Sequence, residues 1–223
     1  MPKGRWETLM ARDGHEFACY LAKPEGRARG AIVIVQEIFG VNEHIRSLVE
    51  LYAAAGYLSI APALFDRIGR NIELDYTPDQ AALGRGYMLQ IERADALKDI
   101  AAAIAVVRHA GRVGVIGFCW GGQLAWFAAS RLGVDAAVSY YGTRLWEAVD
   151  QLPTVPMMLH FGEQDAHTSP EQLAAIRSAF PAGIYHLYPA GHGFNCAVRP
   201  SYHPPSAQLA GERTAQFIAQ HVG

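Results

Sequence analysis

Cysteine is scarce in this sequence, and the three that occur, Cys19, Cys119 and Cys196, lie far apart. An odd, dispersed set argues against a disulfide framework. There is no Cys-x-x-Cys pair and no His-Glu-x-x-His run, so neither a metal nor another cofactor is expected. Charge of one sign is equally lacking. Nineteen Lys and Arg stand against 21 Asp and Glu, for a net charge of −2, which leaves no basic stripe for nucleic acid. Long apolar runs are missing too, so no membrane-spanning helix is expected. The opening residues, Met1-Pro2-Lys3-Gly4-Arg5-Trp6-Glu7, hold no apolar signal region, and a cytoplasmic location is the expectation. No repeat, low-complexity tract or linker interrupts the 223 residues. A single domain over 1–223 is expected, as a monomer or small homo-oligomer.

What is present alternates between strand and helix patterns. Trp6 to Ala11 and Glu16 to Ala22 flank Asp13-Gly14, a hairpin signal. The apolar run Ala31 to Val35 reads as a strand covered on both faces. A helix follows from the N-cap Asn42 to Ala55, with Ile45, Leu48, Tyr52 and Ala55 as its expected buried face. Leu58 to Ala61 is the next strand. Residues 64 to 91 are polar and read as irregular. Helical period returns from Arg93 to Arg108. Strands are expected at 112–116, 134–140, 155–161 and 184–188, and helices from 121 to 132, from Ser169-Pro170 and from 206 to 220. This alternation predicts an α/β class protein, a mostly parallel twisted sheet with helices on both faces and no large cap domain.

The sharpest local signal is Gly117-Phe118-Cys119-Trp120-Gly121-Gly122, between a valine-rich strand and an alanine-rich helix. It has the form of a nucleophile elbow, Gly-x-Nu-x-Gly, with cysteine as the nucleophile. A side chain at such a turn occupies a strained backbone and faces the next helix N-terminus, which favours an anion. The thiolate is the reactive form of cysteine. A buried inert thiol is the competing reading.

A cysteine nucleophile needs a base, and the base an orienting acid, in chain order nucleophile, acid, histidine. Asp165, in Gly162-Glu163-Gln164-Asp165, directly follows a strand. His192, between Gly191 and Gly193, closely follows the last one. Aspartate is also common in turns, and His167 is a rival base. Gln36-Glu37-Ile38-Phe39-Gly40 follows the apolar central strand, where such folds place a second oxyanion donor. The Ile38 and Trp120 N–H groups are therefore the expected oxyanion hole. Glu37 is either a surface turn residue or a partner of the Cys119 proton.

These pieces, with Tyr140-Tyr141-Gly142 and Gly191-His192-Gly193-Phe194, resemble the dienelactone hydrolase family over nearly the whole chain. The resemblance implies an α/β-hydrolase with a Cys119–His192–Asp165 triad. It also implies that Glu37 takes the thiol proton when substrate arrives and that Tyr87 lies near the substrate. Family members that open a carboxylate-bearing dienelactone would carry two arginines at positions that are Leu83 and Cys196 here. Phe39 and Phe194 complete the expected substrate-binding set. The implied partner is a small ester or lactone. Alternatives are an acyltransferase or a hydrolase of another activated carbonyl, and a ligand-binding or redox-sensing module without turnover. Cys196 itself reads either as a small apolar residue lining its loop or as a partner for Cys119 under oxidation.

Overall fold

The computed structural model describes residues 2–223. The chain packs as two compact units, one running to Val113 and including Val222, the other covering Gly114–His221 and Gly223.

In the first unit, β1 (Arg5–Met10) and β2 (Glu16–Ala22) form an antiparallel hairpin. β2 also pairs antiparallel with β4 (Leu58–Pro62), which pairs parallel with β3 (Ala31–Val35). Every residue of β3 is buried, as an unbroken apolar run requires, because both of its faces are covered. The helices α1 (Glu43–Ala54) and α3 (Arg93–Val107) pack on β3 and β4. Asn42 caps α1 by accepting the Ile45 N–H, which satisfies an orphan amide. The buried stripe of α1 is Ile45, Val49 and Ala53. The expected stripe shared only Ile45, because steps of four, not three, carry this helix along its groove.

The stretch expected to be irregular is largely helical. A 3-10 turn covers Leu64–Arg67 and α2 covers Pro78–Gln90. Thr77 caps α2 by accepting the Gln80 N–H, with proline at the first turn. Of α2's residues only Gly84 is buried, so there was no apolar periodicity to read.

An ion-pair network ties this unit together. Arg67 grips the fully buried Asp99 of α3 with two bonds, Nε to Oδ2 at 2.8 Å and Nη2 to Oδ1 at 2.6 Å. Its Nη1 reaches Asp13 in the hairpin turn at 3.1 Å, and Lys98 bridges Asp13 and Asp95. The bidentate fork supplies the orientation that a buried carboxylate needs.

The second unit is all parallel. β5 (Val113–Phe118), β6 (Ala136–Tyr140), β7 (Met157–Gly162) and β8 (Ile184–Tyr188) pair in that order. The helices α4 (Trp120–Arg131) and α6 (Pro204–His221) cover it, and α5 (Pro170–Ala179) begins with a full capping box between Ser169 and Gln172. Trp126 of α4 is fully buried and donates its indole N–H to the Gln151 carbonyl at 2.8 Å. Burying such a ring contributes on the order of 5 kcal/mol. Among the described residues no helix is long and apolar enough to cross a membrane.

Candidate active site

The β5–α4 turn is built around Cys119, whose φ of 56° and ψ of −115° lie outside the regions open to most side chains. Such a residue costs about 1–3 kcal/mol and persists only where its surroundings impose it. Here the main chain does so. The Cys119 N–H donates to the Tyr140 carbonyl at 3.0 Å, and its own carbonyl accepts from Gly122, Gln123 and Thr143. The glycines make room. A Cβ on Gly117 would overlap the Gly121 carbonyl, and one on Gly122 would stand 2.7 Å from Ser139 Oγ and 2.8 Å from the Gly142 Cα. The Trp120 N–H opens α4 immediately after the cysteine, among the amides a helix cannot satisfy internally.

The acid and the histidine arrive from the C-terminal ends of β7 and β8. Asp165 is buried, and its Oδ1 accepts the His167 backbone N–H at 2.8 Å. Its Oδ2 accepts from His192 Nδ1 at 2.8 Å. Gly193 has φ of 78°, a conformation glycine adopts freely, and so turns the loop directly after the histidine. His192 is also hydrogen-bonded to the Cys119 side chain. The structure thus brings Cys119, His192 and Asp165 together, in the order the sequence suggested.

Burial pushes the His192 imidazole toward its neutral form. The Coulombic pull of Cys119 and the hydrogen bonds His192 makes to Asp165 and Cys119 outweigh it, and the pKa is raised to about 10. Asp165 shows the mirror image. Burial raises its pKa, and the His192 bond and charge with the His167 N–H more than reverse that, so it is lowered overall. A protonated His192 beside an ionised Asp165 is therefore the favoured state near neutral pH.

Tyr141 lies edge-on to His192 with ring centroids 5.0 Å apart and has φ of 41°. The sequence reading gave it no role, although Tyr140-Tyr141-Gly142 directly follows a strand. His167 stands edge-on to His192 at 4.5 Å. Other histidines are accounted for elsewhere. His160 is fully buried, its Nδ1 on Tyr188 Oη at 2.8 Å and its Nε2 on Thr214 Oγ1 at 3.0 Å. Burial and the positive charge of neighbouring groups hold it well below its ordinary pKa. Phe194 is fully buried against Tyr188 and Tyr141, and Cys196 is buried. Neither Cys119 nor Cys196 is joined in a disulfide.

In the first unit, the loop after β3 holds Glu37, fully buried, and Ile38. Gln36 pins it, donating to the Glu37 carbonyl and accepting the Leu64 N–H. Phe39 is buried against Tyr76 at 4.4 Å. Gly40 has φ of 78°, and a Cβ there would overlap the Ile72 carbonyl. On α2, Tyr87 is half-buried against Phe65 and Leu83 is 41% exposed.

Parallel strands, covering helices and a nucleophile elbow define an α/β-hydrolase. More narrowly, the chain belongs to the dienelactone hydrolase family, whose family model matches residues 17–222. It is 32% identical over 221 residues to carboxymethylenebutenolidase 1 of Cupriavidus pinatubonensis, covering 95% of this chain and 94% of that one. It is 33% identical over 224 residues to carboxymethylenebutenolidase of Pseudomonas putida, at 95% and 94% coverage. A solved Klebsiella pneumoniae structure described as a candidate dienelactone hydrolase superposes with a TM-score of 0.86 at 28% identity, over 98% of this chain and 99% of that one.

Proposed function

We propose that the protein is a thiol-dependent hydrolase that opens a carboxylic ester or lactone through a Cys119 acyl-enzyme. The observation that carries this reading is the row Asp165–His192–Cys119, with a 2.8 Å bond at its acid end and the histidine raised to about 10 by the cysteine's charge and the carboxylate despite burial. In the proposed reaction the Cys119 thiolate attacks the acyl carbon, and the carbonyl electrons move onto oxygen. The N–H groups of Ile38 and Trp120 stabilise that oxyanion. As the tetrahedral species collapses, His192 gives its Nε2 proton to the leaving alkoxide and a thioester remains. His192 then takes a proton from water, the hydroxide attacks the thioester, and acid and thiolate are released. Asp165 holds the imidazole tautomer throughout. Glu37 takes the thiol proton on substrate arrival and returns it to the released thiolate; this role and that of Ile38 rest on the family resemblance.

Substrate charge is the open choice within this reading. The positions expected to carry arginines hold Leu83 and Cys196, neither of which can pair with a carboxylate. Arg85 is exposed on α2, whereas the Arg199 guanidinium lies directly on Gly193, beside His192. Of the two, Arg199 is the cation we propose for a substrate carboxylate.

The test is hydrolysis of a carboxylate-bearing dienelactone beside its uncharged methyl ester. Both should be opened by the native protein and neither by Cys119→Ala. Full activity in that variant overturns the assignment. If Arg199 serves the carboxylate, Arg199→Gln lowers the rate on the acid and spares the ester. If the ester is preferred from the outset, the pocket is one for neutral substrates.

A further inference from the structure

Beside the nucleophile, one corner of the second unit gathers more ligand chemistry than the hydrolytic row uses. Asp165, His167 and His192 each offer one ligand atom, and these atoms all lie within 4.8 Å of one another. The turn that sets them is rigid, because Asp165 Oδ1 holds the backbone N–H of His167 only two residues on. The two imidazole rings meet at 64° with centroids 4.5 Å apart. His167 is exposed, which gives an ion a first ligand at the solvent edge.

We propose that Asp165, His167 and His192 form an inhibitory site for a divalent ion of the zinc class. Two imidazoles and one carboxylate, completed by water, are a donor set such ions take tetrahedrally. Nitrogen or oxygen ligands about 2.1 Å from zinc stand roughly 3.4 Å apart in a tetrahedron. The His167 nitrogen therefore needs to draw in by little more than about 1 Å, within the reach of χ rotations at an exposed side chain, while the Asp165–His192 pair parts by roughly half an ångström to admit the ion. The ion bonds His192 at Nδ1. The proton there leaves to solvent, and the Nδ1–H bond to Asp165 is replaced by a shared metal. Nε2 keeps its proton. An imidazole held in this way cannot accept a proton from water, so the ion would stop thioester hydrolysis without touching Cys119. This blocking consequence rests on the proposed reaction; the binding itself does not.

Calorimetric titration with zinc chloride and cobalt chloride in non-chelating buffer tests the site with no substrate present. The native protein and Cys119→Ala should each bind one ion with similar affinity. His167→Gln and His167→Ala should each weaken binding by at least about tenfold, since even loss of an outer-shell partner costs 10–100-fold. The cobalt form should show visible d–d bands and no thiolate-to-cobalt charge-transfer band. Absence of one-to-one binding in the native protein overturns the proposal. So does unchanged affinity in the His167 variants, or a thiolate band that vanishes in Cys119→Ala, which would place the ion on the nucleophile instead. In the esterase assay, the zinc concentration for half-inhibition should rise at least about tenfold in His167→Gln relative to the native protein. If no esterase activity is found, the calorimetry still decides the site.

Discussion

Gly84, the one buried residue of α2, lies directly against the backbone carbonyl of Ile38, so closely that a Cβ at position 84 would overlap that oxygen. Leu74 Cδ1 stands 3.1 Å from the same point, so the methyl has no room to slide aside. Gly84→Ala should therefore move the Ile38 peptide or lift α2. A shift of about 1 Å in a reacting group's partner costs on the order of 100-fold in rate. The variant should lose kcat by tenfold or more while its melting temperature falls by only a few degrees, because α2 buries so little. Steady-state kinetics with thermal unfolding checks this. A variant with native kcat would remove Ile38 from the proposed oxyanion role.

His192 supplies the pH prediction. Its folded pKa, about 10, exceeds the ordinary value near 6.5. A raised pKa means that folding favours the protonated form. The pairing contributes its full stability below about pH 6.5 and loses it as pH climbs through 10. By histidine-resolved NMR, His192 should remain an imidazolium well into the alkaline range. In Cys119→Ala the charge that supports it is gone while burial remains, so the midpoint should fall markedly. An unchanged midpoint would show that Asp165 alone sustains it.

Arg67→Met should be among the more damaging changes away from the candidate site. It strands Asp99, which is fully buried and whose pKa burial already raises in spite of Arg67. Orphaning a buried charge costs about 3–5 kcal/mol. The stranded carboxyl would titrate higher still. A raised carboxyl pKa gives stability that is present at low pH and lost as pH rises, so the deficit should be smaller near pH 5 than near pH 8. Urea denaturation at the two pH values measures it.

Gly122→Ala tests the elbow's packing. The added methyl would press on Ser139 Oγ, the Gly142 Cα and the Tyr140 carbonyl at 3.1 Å. Overpacking of this kind costs about 1–3 kcal/mol. The Cys119 backbone should shift with it, because Tyr140 and Thr143 are the residues that pin it. Slower alkylation of Cys119 by iodoacetamide, together with the stability loss, is the expected result.

The elbow, Asp165 and His192 were legible in the sequence because each sits where a strand ends, and strand ends are marked by changes from apolar runs to glycine. The strands themselves were legible for the same reason. α2 was not. Its Thr77-Pro78 start is a good signal, yet its residues carry no apolar stripe, and its one buried position is a glycine, which periodicity does not count. Asp99 escaped notice because it lies on the buried side of an otherwise apolar helix, and only the fold shows that Arg67 comes from a distant turn to meet it. The α1 stripe was misplaced for a subtler reason. Leu48 and Tyr52 fit a helical period as well as Val49 and Ala53 do, and the groove between neighbouring strands decides between them.

The turn at Cys119 is held entirely by main-chain bonds and by glycines, with no hydrogen bond from the cysteine side chain needed to keep its shape. Reactivity and scaffold are consequently separable at this position. A serine could be installed there without redrawing the loop, and a lineage could trade sulfur for oxygen in a single step, leaving only the proton partners to readjust.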